Sequence, residues 1–107
     1  MQHLIENAAP VAESFFALTK SIRDASPLGP KLNELVILGV FVAHGGTRGI
    51  QTHVERAQEH GATREEIVAA ITLALPVVGI SRVNEALEVA IRTIQSKEGR
   101  SRDGTAR

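Results

Sequence analysis

The chain has no cysteine, no tryptophan and no tyrosine, and three phenylalanines make up its whole aromatic content. Without a thiol there is no disulfide, no thiolate metal ligand, no iron–sulfur cluster and no thiol–disulfide exchange. With so few bulky rings, the interior of a 43% hydrophobic sequence has to be built from Leu, Ile, Val and Ala, which suits closely packed helices. An excess charge of either sign is missing too, since 12 basic residues offset 12 acidic ones for a formal net charge of +0. That balance gives no long-range attraction to nucleic acid or to an anionic membrane, and neither is expected as a partner. Long apolar runs are also absent. Leu35 to Ala43 is strongly apolar but falls far short of the roughly 18 residues of a membrane span. The opening Met1-Gln2-His3-Leu4-Ile5-Glu6 lacks the basic and apolar regions of a signal peptide, so a cytoplasmic protein is expected.

A length of 107 residues allows one domain. Apolar spacing predicts an all-α fold, a compact bundle of about five helices. Asn7 or Ala9 can precede the first, with Pro10 near its start and Val11, Phe15, Leu18 and Ile22 on one stripe. The segment Ser26-Pro27-Leu28-Gly29-Pro30 ends that helix and launches a second over Lys31 to His44, where Gly39 suggests a close helix crossing. Gly45-Gly46-Thr47 marks a break before a third helix, which carries Ile50, His53, Val54 and Ala57 on one side and closes at Gly61. Thr63 and Glu66 have the spacing of a capping box for a fourth. Pro76 and Gly79 interrupt the pattern, and Ser81 can cap a fifth helix reaching Ile94. Residues 1–96 are expected to form a single helical domain, and the Gly-, Ser- and charge-rich residues 97–107 a flexible C-terminal tail. The second and fourth helices look too apolar for a monomer to cover, which favours self-association.

His53 is the sharpest candidate for chemistry. It shares a helix face with Ile50, Val54 and Ala57, and a neutral imidazole beside an apolar pocket can move a proton near neutral pH. The same position also suits a histidine that simply ties two helices together. Glu34 lies at the polar start of an otherwise apolar helix; burying it calls for a partner, and His53 or Arg48 is available. Its ordinary alternative is an acidic residue near a helix N-terminus. Arg48 and Thr47 sit in a first turn whose free amides favour anions, so they are candidate binders of a substrate carboxylate, or else solvated side chains. His44 is a third candidate for substrate binding, competing with a role as a local helix cap. Glu34, His44 and His53 together could offer one carboxylate and two imidazoles to a metal, although no metal motif fixes their geometry. His60 reads as surface. No nucleotide fingerprint accompanies Gly45-Gly46, and no cofactor is expected.

The order Lys31-Leu32-Asn33-Glu34-Leu35, Ile50-Gln51-Thr52-His53, Ala57, Gly61-Ala62-Thr63-Arg64-Glu65-Glu66-Ile67 and Gly79 resembles the carboxymuconolactone decarboxylase family, which includes the alkylhydroperoxidase D-like proteins. The resemblance extends over about residues 10 to 95. It implies an alkylhydroperoxidase D-like all-helical fold assembled as trimers or hexamers. Peroxidase-type members use a CxxC pair on the helix that bears the histidine, helped by a glutamate from the preceding helix. By position, Glu34 and His53 match those two residues, while the cysteine positions fall on Gly46 and Gly49. Thiol peroxidase activity is therefore not expected. Decarboxylase-type members also lack the dithiol and act on a cyclic lactone carboxylic acid. The Val77-Val78-Gly79-Ile80-Ser81 stretch lacks the Tyr and Pro often found there, so that substrate does not carry over.

The function expected is a carboxymuconolactone decarboxylase-like, non-redox enzyme of the lyase kind. His53 and Glu34 are its catalytic pair, and a small carboxylate or carbonyl metabolite is its substrate. The alternative is a catalytically inactive homo-oligomeric binding or scaffold protein; a third reading is a metal-assisted enzyme.

Overall fold

Apolar residues recur every three or four positions along most of the chain. The computed structural model describes residues 1–102, with side chains through Gly99, and among these it contains seven helices and no strand. They are α1 (Gln2–Asn7), α2 (Ala9–Ala25), α3 (Pro30–His44), α4 (Thr47–Glu59), α5 (Arg64–Thr72), α6 (Leu75–Val78) and α7 (Ile80–Arg102). The all-α class read from the sequence holds. No helix among the described residues is long and apolar enough to cross a membrane.

Four helices make the body: α4 packs on α3 and α7, and α5 packs on the same two. The core contains Leu38 and Val42 of α3, Ile50, Val54 and Ala57 of α4, Ile67 and Ile71 of α5, and Val83, Ala86, Ala90 and Ile94 of α7. Each fully buried Val, Leu or Ile of this kind contributes about 1.5–3 kcal/mol. Gly39 faces α5, but the crossing does not depend on it: a Cβ there would stand 3.6 Å from the Ala70 carbonyl oxygen, in ordinary contact.

Local chemistry sets the boundaries of these helices. Pro30 starts α3, where its missing N–H leaves no bond unmade. α4 ends in a Schellman motif, with Ala62 N–H donating to the Ala57 carbonyl and Gly61 N–H to that of Gln58. Gly61 adopts the left-handed φ of +90° that the motif requires. One residue later, Thr63 Oγ1 accepts from the Glu66 N–H while Glu66 Oε1 accepts from the Thr63 N–H, which is the capping box expected for α5.

Elsewhere the structure departs from the sequence reading. Gln2–Asn7 forms a separate short helix, and Pro76 lies in the single turn of α6 instead of a plain break. The last helix begins ahead of Ser81: Gly79 accepts from Val83 N–H at 3.4 Å, so Ser81 lies inside the first turn and is not the cap. At its other end α7 runs past Ile94 to Arg102. Once a helix is nucleated each added residue gains a bond, so elongation through Lys97 and Glu98 needs no buried stripe. Residues 103–107, the remainder of the expected tail, lie outside the described residues.

The largest departure concerns α2. Ala12 is buried, but Val11, Phe15, Leu18 and Ile22, the stripe that marks this helix in the sequence, are between 44% and 59% exposed. α2 packs on α1 and meets the body at its last turn, where Asn33 Nδ2 donates to the Arg23 carbonyl and Ser26 Oγ donates to Asn33 Oδ1. It projects as an arm, and its apolar side stays about half exposed among the described residues.

Candidate functional site

Glu34, Leu38 and Val42 follow one another at four-residue steps and form the buried stripe of α3. A carboxylate placed on an apolar stripe is taken out of water with its neighbours, and Glu34 is only 3% exposed. On α4 the inward residues are Ile50, His53, Val54 and Ala57, and His53 is 8% exposed. Because α3 and α4 pack together, the two polar residues meet. His53 Nδ1 lies 2.6 Å from Glu34 Oε1. Burying either group alone would cost several kcal/mol, and the pairing offsets much of that.

A third charge closes the far side of the carboxylate. Arg23, from the last turn of the α2 arm, brings Nε to 3.4 Å from Glu34 Oε2. This is a charge contact without hydrogen-bond geometry, and Nε is buried with no hydrogen-bond partner among the described residues. The compensating cation is therefore Arg23 and not Arg48, because the hinge at residues 26–29 folds the end of α2 back over the start of α3. The sequence reading missed Arg23, since no local pattern ties it to Glu34 eleven residues on.

Phe41 completes the surroundings. Its ring stacks on the His53 imidazole with centroids 5.1 Å apart and planes at 23°, and it stands edge-on to His44 at 6.0 Å. The half-buried ring fits because Gly46 and Gly49 beside it carry no side chains. A Cβ at Gly49 would lie within 2.8 Å of ring atoms Cδ1, Cε1 and Cζ, and one at Gly46 would lie 3.3 Å from Cδ1. Phe41 thus takes the space of the two positions where the resemblance puts cysteines.

His44, Thr47 and Arg48 are exposed around the α3–α4 turn. No hydrogen bond or ion pair among the described residues joins any of them to Glu34 or His53. His44 instead lines an open cavity of about 370 Å³ with Gly45, Ser81, Arg82 and Glu85. Gly45, at a left-handed φ of +87°, caps α3 by donating its N–H to the Phe41 carbonyl, and Arg82 Nη1 of α7 donates to the Ala43 carbonyl at 2.9 Å. A second open cavity, of about 490 Å³, lies along α7 between Asn84 and Gln95. Neither is lined by Glu34 or His53. The proposed metal triad does not assemble: among the described residues no three His, Asp or Glu side chains gather to hold an ion. His60 is on the surface.

With Glu34 accepting, the hydrogen of the neutral imidazole sits on Nδ1 and the lone pair is on Nε2. Nε2 makes no hydrogen bond within the described residues, which leaves it able to take a proton from a ligand and return it. The molecule is a thiol-free helical domain with a carboxylate–histidine pair set between consecutive helices. It belongs to the carboxymuconolactone decarboxylase family, whose sequence model matches residues 9–92. Comparison with curated proteins and with solved structures gives no match.

Proposed function

We propose that the chain is a non-redox acid–base enzyme of the lyase kind, acting through His53 on a small carboxylate or carbonyl metabolite. The observation that carries this reading is the buried 2.6 Å pair of Glu34 and His53, which leaves Nε2 as the one ring nitrogen without a partner. Glu34 fixes the tautomer and balances the imidazolium that forms when Nε2 takes a proton; Arg23 holds Glu34 in place. In a decarboxylation the carbon–carbon bond to the carboxylate breaks and its electron pair moves towards the adjacent carbonyl, giving an enolate. Nε2 first takes the proton of the substrate's carboxylic acid; carbon dioxide then leaves, and the resulting His53 imidazolium returns that proton to the carbon. Arg48, Thr47 and His44 are assigned to the substrate acid, with the first-turn amides of α4 facing negative charge. The exposed stripe of α2 supports self-association, as the trimer or hexamer that the family resemblance implies.

A second reading is favoured by one observation. Phe41 covers a face of His53, and neither open cavity is lined by the pair, as suits a binding or scaffold protein without turnover. The deciding experiment offers a panel of β-keto acids and lactone carboxylic acids and follows carbon dioxide release. Acid–base catalysis predicts turnover that falls about 10²–10⁴-fold in His53→Gln. Release that is absent, or equal in the variant, removes the enzyme reading in favour of the scaffold.

A further inference from the structure

Glu34 carries a carboxylate into the core, and two groups stand ready to balance its charge. Oε1 meets His53 Nδ1 at 2.6 Å, and Oε2 meets Arg23 Nε at 3.4 Å. A guanidinium is always charged, whereas an imidazole is charged only when protonated. Which of the two supplies the counter-charge therefore decides whether His53 keeps a lone pair. The other charges nearby are engaged elsewhere or face water. Lys31, one turn before Glu34 on α3, is held by Glu66 of α5 at 2.9 Å. Lys20 and Asp24 pair with each other on the arm. On α4, Arg56 is exposed, and Glu55, two residues from His53, lies on a different side of the helix. His44 at the end of α3 is exposed. The buried residues of α5 and α7 are aliphatic, apart from the uncharged Thr93.

We propose that Arg23 is the positioning residue that keeps His53 neutral. As the permanent counter-charge of Glu34, it leaves His53 Nε2 with the lone pair that accepts a proton. Without it, a carboxylate only 3% exposed would draw its counter-charge from solvent, as a proton on His53. Both ring nitrogens would then be donors, and neither could act as a base. The dependence is mutual, because Arg23 Nε is buried without a hydrogen-bond partner and the carboxylate is what compensates it. The counter-charge arrives from the arm. Asn33 Nδ2 donates to the Arg23 carbonyl and so fastens the last turn of α2 beside Glu34, the next residue of α3. The site is thus complete only while that turn stays docked. The proposal rests on the acid–base reading of His53, which needs the lone pair.

The test uses the intact protein labelled with nitrogen-15, reading the imidazole nitrogens by NMR at neutral pH. His53→Gln assigns the signals among the four histidines. Wild-type His53 should show one protonated nitrogen, Nδ1, and one bare nitrogen, Nε2. Arg23→Gln should lose the bare-nitrogen signal, with both nitrogens moving to the imidazolium position. Arg23→Lys keeps the charge and should keep the signal, since the contact to Glu34 is one of charge without hydrogen-bond geometry. Adding Glu34→Gln to Arg23→Gln removes the charge to be balanced and should bring the bare nitrogen back. If Arg23→Gln does not fold, Arg23→Met retains the apolar stem and should give the same loss. An unchanged bare nitrogen in Arg23→Gln or Arg23→Met overturns the role of Arg23 and leaves the acid–base reading standing. Loss in Arg23→Lys, or no recovery in the double variant, also overturns it, because packing and not charge is then at work. An imidazolium in the wild type itself overturns both, since Nε2 then has no lone pair to offer.

Discussion

Gly39 and Gly49 both lie inside helices, and a methyl group at each would meet a different neighbour. At Gly39 it would rest 3.6 Å from the Ala70 carbonyl oxygen, an ordinary contact. Gly39→Ala should therefore gain about 0.5–1 kcal/mol of helix propensity. At Gly49 the methyl would overlap the Phe41 ring. Overpacking of that sort costs about 1–3 kcal/mol, more than a first-turn alanine returns, so Gly49→Ala should destabilise. Denaturant melts of the two variants should move in opposite directions. Phe41→Ala in the Gly49→Ala background should cost less than Phe41→Ala alone, because the ring is then already displaced. Equal costs would mean that the ring and the glycine are independent. This coupling was not readable from the chain, where Phe41 is one apolar residue among many and the two glycines read as a helix break. Glu34 and His53 were readable as candidates, since each breaks an apolar pattern, but their contact spans two helices. Arg23 was invisible because nothing local links it to Glu34.

Helix ends divide in the same way. The Gly61 stop and the Thr63–Glu66 start were legible because each is complete within a few consecutive residues. The true start of α7 and its run to Arg102 were not, because they depend on where α6 ends and on elongation. The capping box also carries a pH prediction. The Thr63 N–H, and after it Lys31, whose Nζ donates to Glu66 Oε2 at 2.9 Å, hold the Glu66 carboxyl below its ordinary range. A folded pKa below the unfolded value means that the carboxylate stabilises the fold at pH above the unfolded carboxylate range. That contribution fades as pH falls through the folded pKa. The stability difference between wild type and Glu66→Gln should thus be constant near neutrality and shrink in acid. A gap that widens on acidification would contradict the assignment. Thr63→Ala should cost about 1 kcal/mol, the ordinary loss for an N-cap.

For the whole molecule the open question is what covers α2. Val11, Phe15, Leu18 and Ile22 follow at steps of four, three and four, the spacing of a seam that packs on another helix. Leu32, Val36 and Val40 form a second exposed row on α3. A net charge of +0 puts no long-range repulsion between copies. Sedimentation equilibrium should therefore give a multiple of 11.5 kDa, with three or six copies expected. Phe15→Asp combined with Leu18→Asp should release monomers that keep their helical circular dichroism, because those side chains add nothing to the core of a single copy. Since the last turn of the arm carries Arg23 to Glu34, release should also shift the His53 ring C–H signals in NMR. A wild type that sediments as a monomer would leave the arm bare, and the proposed assembly would have to be abandoned. Monomers with undisturbed His53 signals would instead separate assembly from the site, with Arg23 held by the hinge alone.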